Sequence, residues 1–365
     1  MRNLGSSLKT QKKGADTSLL ITTLILIVFG LIIVYDASVV QGLKDYNNSL
    51  FYIKQQLIWV GLGLLSMIFF IRFDYQKFKL FSVPLILFSF LLLIAVFIPG
   101  LGISGGGAHR WLKLGPMSIQ PAEIIKLTGV IYLASVFTKK VRLKPFLVLV
   151  LGVSVVTAVL QKDLGSTLVF VATSTLLYFS AGAPFWHFLV SLPFGILSLF
   201  VLIITSPYRS KRILAFLDPF SDPQGFTYHI SQVLIALGSG GLFGLGLGHS
   251  RQKFQYIPEV STDSIFGIVG EELGFFGASI LIGLFILVVL KGLKIAQNCD
   301  GRFGKILALG LTCWLGIQAV INLSSMTALL PLTGVPLPFI SYGGSAFVAN
   351  LTAVGILLNI SKQTS

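Results

Sequence analysis

The stretch Ser264–Leu290 reads Ser-Ile-Phe-Gly-Ile-Val-Gly-Glu-Glu-Leu-Gly-Phe-Phe-Gly-Ala-Ser-Ile-Leu-Ile-Gly-Leu-Phe-Ile-Leu-Val-Val-Leu. Its apolar residues form a run with no recurring polar face, which is the pattern of a membrane span and not of an amphipathic surface helix. Crossing a hydrocarbon core takes about 20 such residues. Working outward, the same reading applies to Ser18–Val34, Phe51–Ile71, Leu80–Ile98, Ala122–Phe137, Phe146–Leu160, Thr167–Phe179, Phe188–Thr205, Ile306–Thr327 and Ala346–Ile360. The sequence therefore predicts an all-α, polytopic integral membrane protein of about ten transmembrane helices. The fourth to sixth runs are short and are expected to be tilted, broken or re-entrant. Of the 365 residues 54% are apolar and 11% charged, which excludes an ordinary soluble domain, about a quarter of whose residues are charged.

Charge sets the orientation. With the N-terminus inside, the cytoplasmic segments hold 16 of the 27 Lys and Arg but 3 of the 13 Asp and Glu. Arg2, Lys9, Lys12 and Lys13 precede the first span, Lys139, Lys140, Arg142 and Lys144 follow the fourth, and Lys291, Lys294, Arg302 and Lys305 follow the eighth. This is the positive-inside distribution, and it places both termini in the cytoplasm. The net charge of +14 is thus explained by topology, and a nucleic-acid partner is the weaker reading. The first span follows a basic segment without an A-x-A cleavage site and reads as an anchor. Two cysteines, Cys299 and Cys313, make neither a disulfide framework nor a cysteine-rich metal site, and the four histidines form no H-E-x-x-H arrangement. The expected organisation is a basic cytoplasmic tail (1–17), a transmembrane domain (18–360) and a short cytoplasmic tail (361–365).

Two external connections are long: Pro99–Pro121, and the large extracytoplasmic loop 206–263 between the seventh and eighth spans. Connections of that length usually carry function or structure of their own. The second has helix-compatible segments at Arg209–Leu217 and Thr227–Leu237, then the glycine-rich run Gly238–Gly248. That run lacks the Gly-Lys-Ser/Thr ending of a phosphate-binding loop and reads as tightly bending backbone. Both loops carry cations: Arg110 and Lys113 in one, Arg209, Lys211, Arg212, Arg251 and Lys253 in the other. Lys113 and Lys211 read as solvated surface, while the others allow a site for an anionic substrate whose phosphate oxygens they would clamp.

Ionisable residues inside spans cost roughly 2.5 to 3.5 kcal/mol on insertion scales and point to function by default. Glu123 and Lys126 stand at i, i+3 on the fourth span, where an ion pair fixing helix packing and a ligand role are both open. Asp163, in Gln161-Lys-Asp-Leu-Gly-Ser166, is a ligand candidate or the cap of the sixth span. Glu271 and Glu272 lie within the eighth, where a structural role is favoured for Glu272. Asp263, in Ser261-Thr-Asp-Ser264, reads on composition as an N-cap of that span. Gly267, Gly270, Gly274 and Gly277 form a small-residue stripe for close helix packing.

Taken together the motifs become specific. Gly107-Ala-His-Arg-Trp-Leu112 with Ile119-Gln-Pro-Ala-Glu-Ile-Ile-Lys126 resembles the first external motif of the SEDS family (shape, elongation, division and sporulation). Gln161–Gly165 resembles its Q-P-D-L-G element, and Phe216–Pro219, Asp222–Gly225, Ile235–Gly241 and Pro258-Glu259 match its large loop. Gly270-Glu-Glu-Leu-Gly274 and Pro336-Leu-Pro-Phe-Ile-Ser-Tyr-Gly-Gly-Ser345 complete the set. Within the family, Gly246–Glu259 looks like the division member.

The resemblance implies a bundle of ten spans and a peptidoglycan glycosyltransferase that polymerises lipid II at the outer face of the bacterial cytoplasmic membrane, at the division septum. It implies a class B penicillin-binding protein, a transpeptidase, and other division proteins as partners. The family's essential carboxylate, in a His-Thr-Asp-Phe motif, falls on Asp263. Here Ser261 stands for the motif's His, Ser264 for its Phe, and Lys162 for the Pro of Q-P-D. Asp263 is then the expected general base for the acceptor sugar hydroxyl. Arg110, Arg209, Arg212 and Lys253 are expected at the leaving pyrophosphate, and Trp111 on a sugar face or at the membrane interface. His249, Ser250, Glu259, Ser341 and Tyr342, with Glu123, Lys126 and Asp163, are further substrate-binding candidates within the matched motifs. A divalent cation, Mg2+ or Mn2+, is implied by the family, though the sequence shows no dedicated cage. The alternatives are an elongation-type polymerase, a lipid II flippase using the intramembrane charges as a pathway, and a non-catalytic scaffold.

Overall fold

The computed structural model describes residues 14–105, 108–115, 117–254 and 256–363. The basic tail residues Arg2, Lys9, Lys12 and Lys13, and the motif residues Gly107 and Gln255, lie outside the described residues, as do Thr364 and Ser365. The helices are α1 (Thr17–Tyr46), α2 (Phe51–Arg72), α3 (Phe78–Ala95), α4 (Pro121–Lys139), α5 (Leu143–Ser154), α6 (Leu164–Ser180), α7 (Phe185–Ile204), α8 (Pro207–Leu217), α9 (Tyr228–Ser239), α10 (Ile265–Asn298), α11 (Arg302–Met326) and α12 (Gly344–Lys362). Among the described residues nine are long and apolar enough to cross a membrane, α3 counted from Tyr75 and α5 to Leu160, and α6 is a shorter apolar helix of 17 residues. Each of the ten expected runs falls on one of these helices, and the chain is a multi-pass membrane protein.

Burial grades the bundle from centre to edge. The spanning stretch of α12 is 89% buried, those of α4 and α11 are 67% and 61% buried, and that of α7 has no buried residue. The centre is possible because α12 is built from small residues: Gly355 lies against the Met67 backbone, and Gly344 against the Trp59 ring. Without a hydrophobic drive between helices in lipid, such close backbone approach is what holds them together. The far end of α12 is tied by side-chain bonds, Asn359 Nδ2 to the Ile71 carbonyl at 2.9 Å and the Tyr75 N–H to Asn359 Oδ1 at 3.1 Å.

Three features depart from the expected regularity. The first long connection folds as a small antiparallel sheet of β1 (Gly102–Gly105), β2 (Ala108–Leu114) and β3 (Met117–Ile119), with Trp111 opposite Ile103. The short fifth run gains length because α5 continues as a π-helical turn, Val155–Leu160. The eighth run is not one helix. At Gly274 the backbone turns to φ 64°, ψ −164°, so α10 is a half-helix Ile265–Leu273 and a second helix from Phe275.

The glycine-rich run repairs that break. Leu245 and Gly246 donate to the Glu271 and Glu272 carbonyls at 3.0 Å each, and Phe275 and Phe276 donate to Gly241 and Leu242 at 2.9 and 3.1 Å. Backbone groups freed in a broken span must be paired within the protein, and here four bonds do it. Gly244, at φ 81°, is where the strand-like loop passes over the Glu272 carbonyl, a position a Cβ would occupy. Gly274 is therefore a hinge point of the chain and not part of a packing stripe, whereas Gly267 and Gly270 do face α9 side chains.

The connections α1–α2, α3–α4, α5–α6, α7–α10 and α11–α12 meet at one end of the bundle. Arg110 reaches the Lys162 carbonyl, Arg212 the Leu332 carbonyl, and the Tyr342 N–H the Ser261 carbonyl, while Tyr342 and Tyr52 stack edge to face at 5.4 Å.

Candidate active site

Asp263 lies at this end, on the turn that leads into α10. Glu259, in left-handed backbone at φ 50°, starts the turn, and its carbonyl accepts from Thr262 and Ser264 N–H groups at 3.1 and 3.3 Å. The N-cap of α10 is Ser264, not Asp263. Among the described residues the Asp263 carboxylate accepts from Thr262 Oγ1 at 3.3 Å and from its own backbone, and no donor on another element reaches it. The side chain is nonetheless 8% exposed. A carboxylate buried without capping a helix has given up hydration for no structural return. Burial pushes its pKa above the ordinary carboxylate range, and the nearby Arg212 guanidinium pulls it part of the way back.

The turn is held from behind by α11. Asn322 Nδ2 donates to the Asp263 carbonyl and to the Val335 carbonyl, and one turn earlier Gln318 Nε2 donates to the Pro336 carbonyl at 3.1 Å. Gln318 Oε1 in turn accepts from Lys126 Nζ at 2.8 Å and from Trp314 Nε1 at 2.9 Å, and Lys126 pairs with Glu123 Oε1 at 2.7 Å. The buried pair on α4 and the Asp263 turn are thus ends of one polar chain. Sequence reading missed Gln318 and Asn322. The signal was there, two amides at i, i+4 in an otherwise apolar span.

From α9 comes another residue not anticipated, His229. Its Nε2 lies 2.5 Å from Ser264 Oγ. Burial, with Arg212 close by, lowers its pKa to about 4, so the ring is neutral at physiological pH.

The remaining candidates divide. Arg212, on α8, anchors to the Leu332 carbonyl at 2.7 Å and to the Tyr208 hydroxyl, and faces both Asp263 and His229. Arg110 and Arg209 approach one another: Arg110 binds the Lys162 carbonyl and Arg209 the Ala158 carbonyl, each at 2.6 Å. Burial and the Arg110 charge both lower the Arg209 pKa, and among the described residues no carboxylate forms an ion pair with either cation. Trp111 is half-buried on β2, opposite Ile103. Asp163 caps α6, accepting from Ser166 N at 3.1 Å and from Gln120 Nε2 at 3.0 Å. Ser341 closes its own turn on Leu337 N at 2.8 Å, and Tyr342 follows it.

Lys253 and Ser250 turn inward. Lys253 Nζ pairs with Asp36 at 2.7 Å and Glu272 at 3.3 Å, and Ser250 donates to Glu271. Glu271 also accepts from the Arg251 and Gln252 N–H groups at 3.0 and 3.3 Å. The two glutamates therefore clamp segment 250–253 to the broken helix. His249 is exposed and contacts the Leu247 carbonyl.

Comparison with known proteins agrees with this architecture. The cell cycle protein family of FtsW, RodA and SpoVE matches residues 16–365. Stage V sporulation protein E of Bacillus subtilis (strain 168) is 40% identical, over 97% of this chain and 99% of its own length. The probable peptidoglycan glycosyltransferase FtsW of Geobacter sp. (strain M18) is 38% identical, over 96% and 98%. Among solved structures, a chain of a peptidoglycan synthase complex superposes with TM-score 0.76 at 27% identity, covering 96% of this chain and 98% of its own. The rod shape determining protein RodA of Thermus thermophilus gives TM-score 0.70 at 27% identity, covering 96% and 97%. The fold and site define a polytopic membrane protein with a carboxylate at one end of its bundle. The chain belongs to the FtsW/RodA/SpoVE family of cell cycle proteins.

Proposed function

We propose that the chain is a peptidoglycan glycosyltransferase that polymerises lipid II, with Asp263 as general base. The observation that carries this is the buried Asp263 carboxylate, which caps no helix and faces Arg212. In the reaction the acceptor sugar hydroxyl attacks the donor anomeric carbon, and the new glycosidic bond forms as the bond to the lipid pyrophosphate breaks. Asp263 takes the hydroxyl proton, a role that ordinarily gives about 10²–10⁴-fold. A carboxyl with a raised pKa is a better proton acceptor than a solvated one. Arg110 and Arg209, which have no carboxylate ion-pair partner among the described residues, supply positive charge for the departing pyrophosphate, and Arg212 acts on Asp263.

A divalent cation, Mg2+ or Mn2+, fits the residues present. Thr262 Oγ1 joins the Glu259 and Asp263 carboxyl groups, at 2.9 and 3.3 Å, and one or two carboxylates are what Mg2+ takes when substrate phosphates fill its other positions. Its chemistry there would be neutralisation of the pyrophosphate charge.

The site end of the bundle is assigned to the outer face and both termini to the cytoplasm, following the positive-inside charges. A class B penicillin-binding protein is the proposed transpeptidase partner, with other division proteins, and septal synthesis the proposed role. The similarity to the synthase-complex chain supports a partnered enzyme. The intramembrane Lys126 spends its bonds on Glu123 and Gln318, which favours a structural strut over a transport pathway.

The test is polymerisation of labelled lipid II by purified wild-type protein and by Asp263→Ala, each with the cognate transpeptidase, with and without EDTA. Strands from the wild type and none from a folded variant are expected. Normal polymerisation by the variant would remove Asp263 from the chemistry.

A further inference from the structure

Ser264 occupies the N-cap of α10 and yet makes no capping bond to the helix. A serine at that position ordinarily accepts from the N–H two or three residues on, a bond whose loss costs about 1 kcal/mol. Here the hydroxyl is diverted sideways to His229 Nε2 at 2.5 Å. The residue so held is fully buried and directly follows Asp263. The diversion therefore fixes the side chain next to the candidate base at the expense of the helix end.

The imidazole is also placed electrostatically. Arg212 on α8 and Glu259 on the turn before α10 are the charged groups acting on it, and Arg212 also acts on Asp263. A charged imidazole would add a second cation to the neighbourhood of Arg212, and burial prevents this. The ring thus bonds to Ser264 while leaving Arg212 as the cation that acts on Asp263. One departure from the family motif lies in this contact, since Ser264 stands where the motif has Phe. A Phe at 264 would have no hydroxyl to offer His229.

We propose that His229 is a positioning residue that, through Ser264, sets the orientation of Asp263. This rests on Asp263 being the base. His229 itself touches no reacting atom. It acts through a hydrogen bond, so any neutral side chain able to bond Ser264 at that reach serves in its place.

The test is the rate of lipid II polymerisation, with the cognate transpeptidase, by the full-length wild type, His229→Leu, His229→Gln, Ser264→Ala, the double variant His229→Leu/Ser264→Ala, and Asp263→Ala. His229→Leu is expected to lose roughly tenfold in kcat with KM within about twofold, as for a group that acts on the chemical step only. His229→Gln restores most of the loss. Ser264→Ala matches His229→Leu, and the double variant is no slower than either, because partners in one bond are not additive. A full rate in His229→Leu, additive losses, or no recovery with a folded His229→Gln would overturn the proposal while leaving Asp263→Ala inactive. Should His229→Leu fail to fold, Ser264→Ala and His229→Gln still decide the matter: normal kcat in Ser264→Ala overturns it. Activity in Asp263→Ala would instead overturn the base assignment, and this inference with it.

Discussion

Asn322 Nδ2 lies 2.8 Å from the carbonyl oxygen of Asp263 and 2.7 Å from that of Val335, so one buried amide ties the turn before α10 to the connection before α12. Replacing it strands two carbonyls at once. Leaving a buried acceptor unsatisfied costs about 1–3 kcal/mol. Asn322→Leu is therefore expected to lower the thermal midpoint in detergent and to cut polymerisation more than tenfold. A variant with wild-type melting and rate would show that the turn is held by other means.

The raised pKa of Asp263 has a sign that can be checked. A carboxyl whose folded pKa lies above its unfolded value favours folding while protonated. Its contribution is lost as pH rises from the ordinary carboxylate range through the raised folded value. At neutral pH, Asp263→Asn should thus be inactive but more stable, by on the order of 1 kcal/mol. The same shift places the acid limb of the rate profile above the ordinary carboxylate range, since a base works only when deprotonated. Arg212→Gln removes the charge that draws the pKa down, and the limb should move to higher pH. A limb that moved down, or an Asp263→Asn protein less stable at pH 7, would contradict the reading.

Lys126 and Glu123 are both buried and 2.7 Å apart. Breaking such a pair from one side leaves an uncompensated charge and costs about 3–5 kcal/mol, whereas removing both is far milder. Lys126→Met alone should melt well below the wild type, and Glu123→Gln/Lys126→Met should recover much of the loss. Equal destabilisation by the single and double variants would mean that the pair does not act as a unit.

Gly244 bridges the break in α10 in left-handed backbone, against the Glu272 carbonyl. An L-residue in that conformation costs roughly 1–2 kcal/mol before any clash. Gly244→Ala is expected to loosen segment 241–246 and speed tryptic cleavage at the neighbouring Arg251, which is exposed. Unchanged cleavage kinetics would argue that the loop is held elsewhere.

The spans were legible in the sequence because lipid demands unbroken apolar length, and Ser18–Val34 or Ile306–Thr327 can satisfy nothing else. The helices in the large connection were legible for a similar reason, α8 and α9 falling on the segments expected for them. The break at Gly274 was not, since a glycine in an apolar run reads equally as packing stripe or hinge. What decides between them is the partner loop Gly241–Gly246, distant in the chain. The Asp263 candidate was legible only through motif resemblance, because Ser-Thr-Asp-Ser before a helix reads as a cap. The cap assignment failed for a tertiary reason, the turn begun at Glu259 placing Ser264 at the helix start. Lys253 was expected at the leaving pyrophosphate, and its inward pairing was not legible because its partners Asp36 and Glu272 lie far away along the chain.

The break at Gly274 also separates two mechanical duties. The half-helix Ile265–Leu273 is almost entirely packed within protein and carries the site turn, whereas Phe275 and Phe276 begin a helix whose sides are largely exposed. A continuous rod would pass every change of tilt at its lipid-facing end straight to Asp263. Spans adjust tilt when bilayer thickness changes, at a cost of fractions of a kcal/mol per Å of mismatch. With a glycine joint between the halves, and Glu271 and Glu272 clamping the upper one, the lower half can follow the thickness of its bilayer while the carboxylate stays in register with Arg212. Tilt that reaches the joint meets a glycine torsion and the four bonds of Gly241–Gly246 before it meets the chemistry, where a continuous helix would offer only its own stiffness.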